Sequence, residues 1–276
     1  MSRPSVVGLL LVLPGLLLVA ALFLYPLSFS LVSAFTEEGR LSLAHFDRAF
    51  ELYSGDIRFT IFIVLTSTAL TALISIAIAG ALTLSETPWL VAGLRWLYRW
   101  PLFIPFIVAA QCMRTFLAKN GLMNNSLVAL GLLEPLQTTS FLDWRGIIIT
   151  FVWKQVPFVT LMLAGAMASL DRATIEAGRN LGASRLRVLV ELVLPQVAQT
   201  LLVGLVLSFV TMLSVLSVPL MVAGSQPTML TVDMSFRINS YGDYATANAL
   251  GVISYVMTGV VAWIYLRHQI RREAAA

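Results

Sequence analysis

Of 276 residues, 58% are hydrophobic and only 12% are charged, with a formal net charge of +4. Soluble domains carry about a quarter charged residues, so the polar groups here are too few to coat a soluble particle of this length. The charges also cluster, and the runs of ~20 apolar residues between them read as transmembrane helices.

Six candidate spans, roughly 7–35, 58–84, 97–117, 146–169, 197–223 and 247–266, predict an all-α membrane protein. The first begins after Arg3, but the apolar run from Val6 to Phe35 far exceeds the roughly 7–15 residues of a signal-peptide core. A retained helix, kinked near Pro14 or Pro26, is expected. An acidic outer loop, 36–57, follows. The first inner loop runs from Ser85-Glu86-Thr87-Pro88 to Arg95 and Arg99. A second outer loop, 118–145, opens with the turn signals Asn120-Gly121 and Asn124-Asn125, and its middle, Leu122 to Leu133, is apolar enough for a short surface helix. Cys112 cannot form an intrachain disulfide, and a lone cysteine in an apolar run reads as a small buried hydrophobe.

Lys and Arg concentrate on the cytoplasmic side of membrane proteins. With the N-terminus inside, the inner segments hold Arg3, Arg95, Arg99, Arg172, Arg179, Arg185, Arg187, Arg267, Arg271 and Arg272. The outer Arg40, Arg48, Arg58, Lys119, Arg145 and Arg237 are diluted among acids. Both termini are therefore expected in the cytoplasm. The basic residues flank membrane spans in separate clusters, which argues against nucleic-acid binding.

The second inner loop, 170–196, differs from the others. Asp171 can cap a helix whose first turn contains Glu176, placing both acids near a positive helix end. Gly182 can end that helix and turn the chain. Ser184 can cap a second segment carrying Arg185 and Arg187, and Pro195 fits the first turn of the fifth span. Taken alone, this helix–turn–helix suits either a docking surface for a partner or an ordinary interfacial connector.

Glu176-Ala177, Gly182 and Leu192-x-Leu194-Pro195 resemble the EAA loop of ABC-importer permeases, the membrane subunits served by an external binding protein. That pattern reads Glu-Ala-Ala, three residues, Gly, nine residues, an aliphatic residue, any residue, Leu-Pro. The chain matches in register from Glu176 to Pro195 and departs at Gly178, where a second Ala is usual. Trp153-Lys154-x-x-Pro157-Phe158 and Ala183-Ser184 look like the same family, and the resemblance covers roughly residues 58–266. Arg179-Asn180-Leu181-Gly182-Ala183-Ser184 is similar to the form in polyamine, phosphonate and related organic-ion permeases, and less like the Asp-Gly-Ala form of sugar permeases.

The resemblance implies a type I ABC-importer permease fold in a bacterial cytoplasmic (inner) membrane, with a cytoplasmic coupling helix between spans four and five. It implies a first span and outer loop (1–57) ahead of a permease core (58–276). The implied partners are cytoplasmic ABC ATPases that bind the ATP, a second permease subunit, homologous or identical, and an extracytoplasmic binding protein that delivers a small solute. Glu176 is implied as a polar contact to the ATPase. Ala177, Gly178 and Ala183 are implied as small residues permitting close approach, Gly182 as the turn, and Asp171 and Arg172 as flanking contacts.

Inside the spans, ionisable residues are functional candidates because their burial in lipid is costly. Arg114 reads as snorkelling. Lys154 and Gln155 lie deeper and are candidates for a translocation path. Thr211, Ser214 and Ser217 repeat every three residues and can share a face of the fifth span; small hydroxyl residues either pack helix on helix or line a wet path, and the family resemblance, in which this span borders the translocation route, makes them path candidates. Met212, Met221, Met229 and Met234 read as gap-fillers. His45 and His268 sit at opposite faces, so no metal site or cofactor is expected. No nucleophile elbow, His-Glu-x-x-His pair or Walker loop is present, so no catalytic residue is expected and the chain should not itself hydrolyse ATP. A stand-alone secondary carrier or channel is the alternative, though a proton-coupled carrier usually shows acids within its spans.

Overall fold

The computed structural model describes residues 6–223 and 227–273; Arg3 and the Ala274–Ala276 tract lie outside them. Two compact units divide the chain, one from Met1–Gly55 and Asp233–Val256, the other from Asp56–Val232 and Met257–Ala276.

The first unit begins with helix α1 (Val6–Val19), a π-helical turn (Ala20–Leu24) and α2 (Tyr25–Ala34). Proline lacks an N–H, and its ring crowds the carbonyl four residues earlier. The π turn widens the backbone just ahead of Pro26, and Tyr25 N–H reaches back to the Ala20 carbonyl. A hairpin of β1 (Thr36–Glu37) and β2 (Arg40–Leu41) follows. It turns through Glu38 and Gly39, both at positive φ, as a two-residue hairpin loop requires. Helix α3 (Ala44–Leu84) then starts where a loop to residue 57 was expected. The error arose because Asp47, Arg48, Glu51 and Asp56 interrupt the apolar pattern without breaking the helix. At 41 residues, α3 is about 60 Å long, twice a bilayer's hydrocarbon thickness. Helix α12 (Leu230–Tyr241) and the first part of α13 (Tyr244–Glu273) complete this unit. Arg237 lies over the rings of Tyr53 and Tyr241, and its Nη1 is 3.4 Å from Asp243 Oδ2.

The second unit is built around α7 (Trp144–Ala168), most of whose central residues, from Ile147 to Thr160, are buried. Asp143 caps it, accepting from Arg145 N–H. Phe151 and Val152 of α7 pack with Ile63 and Val64 of α3, and with Phe209 and Met212 of α10 (Leu194–Ser214). A second apolar cluster joins Ala79, Leu163, Met167, Val188 and Val193. Between them runs a seam of buried polar groups: Ser67, Thr71 and Ser75 on α3, Gln155 and Thr160 on α7, and Ser208 on α10. Ser75 donates to the Val156 carbonyl at 3.4 Å and Gln155 to the Ser208 carbonyl at 3.5 Å.

The third predicted span is interrupted. Helix α4 (Pro88–Leu97) and a 3-10 turn (Trp100–Phe103) precede α5 (Phe106–Leu117), and the segments on either side of Ile104-Pro105 meet at 111°. Pro101 and Pro105 withhold N–H groups, and a residue before proline is driven to extended geometry, as Ile104 shows (φ −92°, ψ 122°). The first inner loop is consequently helical through α4. Among the described residues, five helices are long and apolar enough to cross a membrane, or six with the bent pair taken as one span. Helix α6 (Leu122–Ala129) occupies the second predicted outer loop.

The fifth predicted span also ends early. Helix α10 stops at Ser214, Val215 is extended, and α11 (Ser217–Val222) resumes beyond it. Pro219 accounts for the break, because its ring would meet the Val215 carbonyl in a continuous helix. Ser217 therefore does not share a helix face with Thr211 and Ser214. Cys112 is exposed rather than buried within the chain.

Candidate functional site: the loop between the fourth and fifth spans

Helix α8 (Arg172–Asn180) begins as the sequence suggests, with Asp171 Oδ1 accepting from Ala173 N–H at 2.9 Å. Glu176 lies in the second turn, not the first, because the helix starts at Arg172. The C-terminus closes with two backbone bonds, Ala183 N–H to the Gly178 carbonyl at 3.2 Å and Gly182 N–H to the Arg179 carbonyl at 2.9 Å. This paired closure needs a left-handed residue after the cap; Gly182 supplies it at φ +83°. Ser184 Oγ then accepts from Arg187 N–H, capping the short helix α9 (Arg185–Arg187). A second π turn (Val188–Val193) leads into α10, directly ahead of Pro195, repeating the arrangement at Pro26.

The inner face of α8 rests on the membrane helices. Ile175, Ala183 and Leu192 pack against the cluster that contains Val188 and Met167. A Cβ at Gly178 would lie 2.6 Å from Leu192 Cδ1, so glycine at this departure from the Glu-Ala-Ala pattern lets α8 approach the π turn closely. A Cβ at Gly80 would likewise lie 2.7 Å from Leu189 Cδ2, bringing α3 against the same turn. The outer face exposes Arg172, Glu176 and Ala177.

Three residues of this surface were not singled out from sequence. Leu181 and Leu186 are 89% and 70% exposed on an otherwise polar loop. Glu86, between α3 and α4, reaches the loop from about a hundred residues away. Its Oε1 lies 2.5 Å from Arg179 Nη2 and its Oε2 3.0 Å from Arg185 Nη2. One carboxylate thus holds an arginine from each side of the Gly182 turn. Arg179 first, and then Arg185, keep the Glu86 carboxyl below the usual carboxylate range. A lone acid among the arginines of the first inner segment was the available signal, but nothing in the sequence named its partners.

The interior candidates are placed differently. Lys154 is 7% exposed, and its ammonium donates to the Pro101 carbonyl at 2.5 Å and to the Ile104 carbonyl, with the Phe106 ring 4.9 Å away. It donates to the Ile104 carbonyl at the break before α5 and adds a second donor to the Pro101 carbonyl, which also accepts from Ile104 N–H at 3.3 Å. Thr211 and Ser214 turn their hydroxyls onto the carbonyls of Leu207 and Val210 within α10. Arg114 is exposed near the end of α5. Met212 and Met229 are fully buried in the core.

These features define a multi-helix membrane protein with a capped polar helix pair between two spans. The chain belongs to the family of binding-protein-dependent transport system inner membrane components, whose pattern matches residues 4–273. It is 26% identical over 277 aligned positions to the sulfoquinovosyl glycerol transport system permease protein SmoG of Agrobacterium fabrum, covering 94% of this chain and 89% of that protein. It is 27% identical to the trehalose/maltose transport system permease protein MalF of Thermococcus litoralis, over 60% of this chain and 58% of the relative. It is 22% identical to the spermidine/putrescine transport system permease protein PotB of Escherichia coli, over 60% of this chain and 62% of the relative. The fold is similar to a chain of a bacterial alginate ABC transporter solved with an alginate pentasaccharide-bound periplasmic protein (TM-score 0.79, 22% identity, 95% and 93% of the two chains). The chain is an ABC-importer permease, with the type I permease fold, and a transport component rather than an enzyme.

Proposed function

We propose that α8 and the Gly182 turn form the coupling element through which a cytoplasmic ABC ATPase moves this permease, both chain termini lying on the ATPase side. The observation that carries this reading is the loop's two-sided construction. Its inner face packs closely on the π turn where Gly178 meets Leu192. Its outer face presents Glu176, Ala177 and the exposed apolar Leu181 and Leu186. An exposed leucine pair on a charged loop suits a protein partner that covers it. A short capped helix tied to two spans can carry a rigid-body displacement into the membrane. In this role Glu176 makes the polar contact, with Asp171 and Arg172 flanking it and Ala183 packing behind the turn. The full assembly would comprise ATPase subunits, a second permease subunit and an extracytoplasmic binding protein.

The transported solute is a small hydrophilic organic molecule, and carbohydrate derivatives are the first class to test. SmoG, with an alignment spanning nearly its whole length, and MalF both take sugar-derived solutes by name, and both exceed 25% identity to this chain. A polyamine or related organic ion is the second reading, supported by the match to PotB and by the Arg179–Ser184 form. Thr211, Ser214 and Ser217, which lie in or beyond the C-terminal part of α10, remain candidates for the path.

The test of the coupling role is Glu176→Lys. It should release the ATPase or uncouple ATP hydrolysis from uptake while leaving membrane insertion intact; unchanged uptake together with unchanged ATPase association would overturn it. Transport by the chain in vesicles without any ATPase would instead support a stand-alone carrier.

A further inference from the structure

Helix α4 presents a face that is uncovered among the described residues. It lies at 111° to the segment that follows the Ile104-Pro105 break. Trp96 and Trp100, one turn apart, stack edge to face at 5.2 Å between ring centroids. Trp96, Trp100 and Phe103 are 64%, 57% and 82% exposed. Together with Arg95 and Arg99 they line an open groove of about 690 Å³. Arg95 has no carboxylate partner among the described residues, and Arg99 donates to the Tyr98 hydroxyl at 3.3 Å. Both arginines also border a second cleft of about 810 Å³, which faces α8.

We propose that this groove is a binding site for an anionic phospholipid, with the phosphate between Arg95 and Arg99 and an acyl chain against Trp96, Trp100 and Phe103. Charge decides the occupant. A groove lined only by aromatics would accept any lipid chain, but two guanidinium groups spaced by one helical turn at its rim select a negative headgroup. Arginine's planar fork matches phosphate oxygens, and tryptophan at headgroup depth keeps its ring in the apolar layer and its N–H in the wet one. An amphipathic helix with arginine beside tryptophan is suited to the membrane surface. A protein occupant would need acids to meet the arginines, and Glu86 and Glu176, the acids that line the neighbouring cleft, do not line this groove. The headgroup then sits at the boundary between the bilayer and the cleft beside α8.

The test is native mass spectrometry of the full chain, co-purified with its transport partners and exposed to equal amounts of phosphatidylglycerol and phosphatidylcholine. The unsubstituted protein should retain phosphatidylglycerol preferentially. Arg95→Gln with Arg99→Gln should lower that retention on the order of thirtyfold, the effect of two basic side chains at an anionic surface. Arg95→Lys with Arg99→Lys should keep most of it, and Arg114→Gln, at an exposed arginine elsewhere, should leave it unchanged. Equal retention of the two lipids, or a double Gln variant that holds phosphatidylglycerol as well as the parent, would overturn the site. So would a photo-crosslinker at Trp96 that captures protein rather than lipid in native membranes.

Discussion

Glu86 Oε1 lies 2.5 Å from Arg179 Nη2, joining the segment after α3 to the end of α8. With Arg185 on its other oxygen, Glu86 spans the Gly182 turn. Each pair alone is a surface ion pair of small worth; meeting on one carboxylate, they tie both sides of the turn to the segment after α3. Glu86→Gln should therefore leave expression intact and increase amide hydrogen exchange across Arg172–Ala183, with weaker coupling of ATP hydrolysis to uptake. The pH dependence follows from the lowered carboxyl. A group depressed in the folded state contributes above its unfolded value, here 4.5, and its contribution is lost as pH falls through the lower folded value. Exchange across the loop should be insensitive to pH near neutrality, once corrected for intrinsic rates, and should rise under acid or high salt. Unchanged exchange in Glu86→Gln would show that the bridge does not hold the helix.

Gly182 tests the turn itself. At φ +83°, a Cβ costs roughly 1–2 kcal/mol in the left-handed region, although open space surrounds the position. Gly182→Ala should loosen the turn by about that amount and Gly182→Asn by less, since Asn tolerates this region. Hydrogen exchange at Gly182 and Ala183, whose N–H groups close the helix, is the measurement. Equal effects of Ala and Asn would mean that backbone conformation is not what the site demands.

Lys154 should be among the costliest interior positions to change. Lys154→Met preserves bulk but removes the side-chain donor to the Ile104 carbonyl and leaves the Pro101 carbonyl with only its bond from Ile104 N–H, and a buried unsatisfied group costs about 1–3 kcal/mol. Thermal unfolding in detergent should fall markedly for Lys154→Met. A role for Lys154 in solute passage alone would instead lower uptake and leave the unfolding temperature where it was.

The polar seam gives the opposite sign. Thr71 and Thr160 are fully buried, and their hydroxyls make no hydrogen bond among the described residues. Replacing an unpaired hydroxyl by a methyl of the same shape removes a desolvation penalty. Thr71→Val and Thr160→Val should each raise stability by about 1 kcal/mol, read as a higher unfolding temperature. A loss of stability in both would indicate that these hydroxyls are satisfied in the membrane.

What could be read from sequence was what residue type settles locally. Asp171, Gly182 and Ser184 act through their own backbones and near neighbours, so their roles as cap, turn and cap were visible in one dimension. Glu176 was assigned to the first turn although the Asp171 cap, correctly placed, puts it five positions into the helix and so in the second. Hydropathy ran a continuous span through Pro101 and Pro105 because it measures transfer of side chains, not the hydrogen bonds that proline withholds. The Thr211–Ser217 repeat assumed one helix and missed the clash between Pro219 and the Val215 carbonyl. Lys154 was conspicuous in the sequence and Glu86 was passed over; their partners lie 93 and 99 positions away for Glu86, and 50 and 53 for Lys154. Pairings at such separations belong to the folded chain.

That last separation bears on how the protein is made. The bend before α5 frees the Ile104 carbonyl, which hydrocarbon cannot satisfy, and the ammonium that donates to it is synthesised fifty residues later, in α7. The bent shape of the third span is thus completed by a donor from the fourth. If the two segments insert as one unit, a nascent chain halted between them should remain associated with the insertion machinery rather than move into lipid.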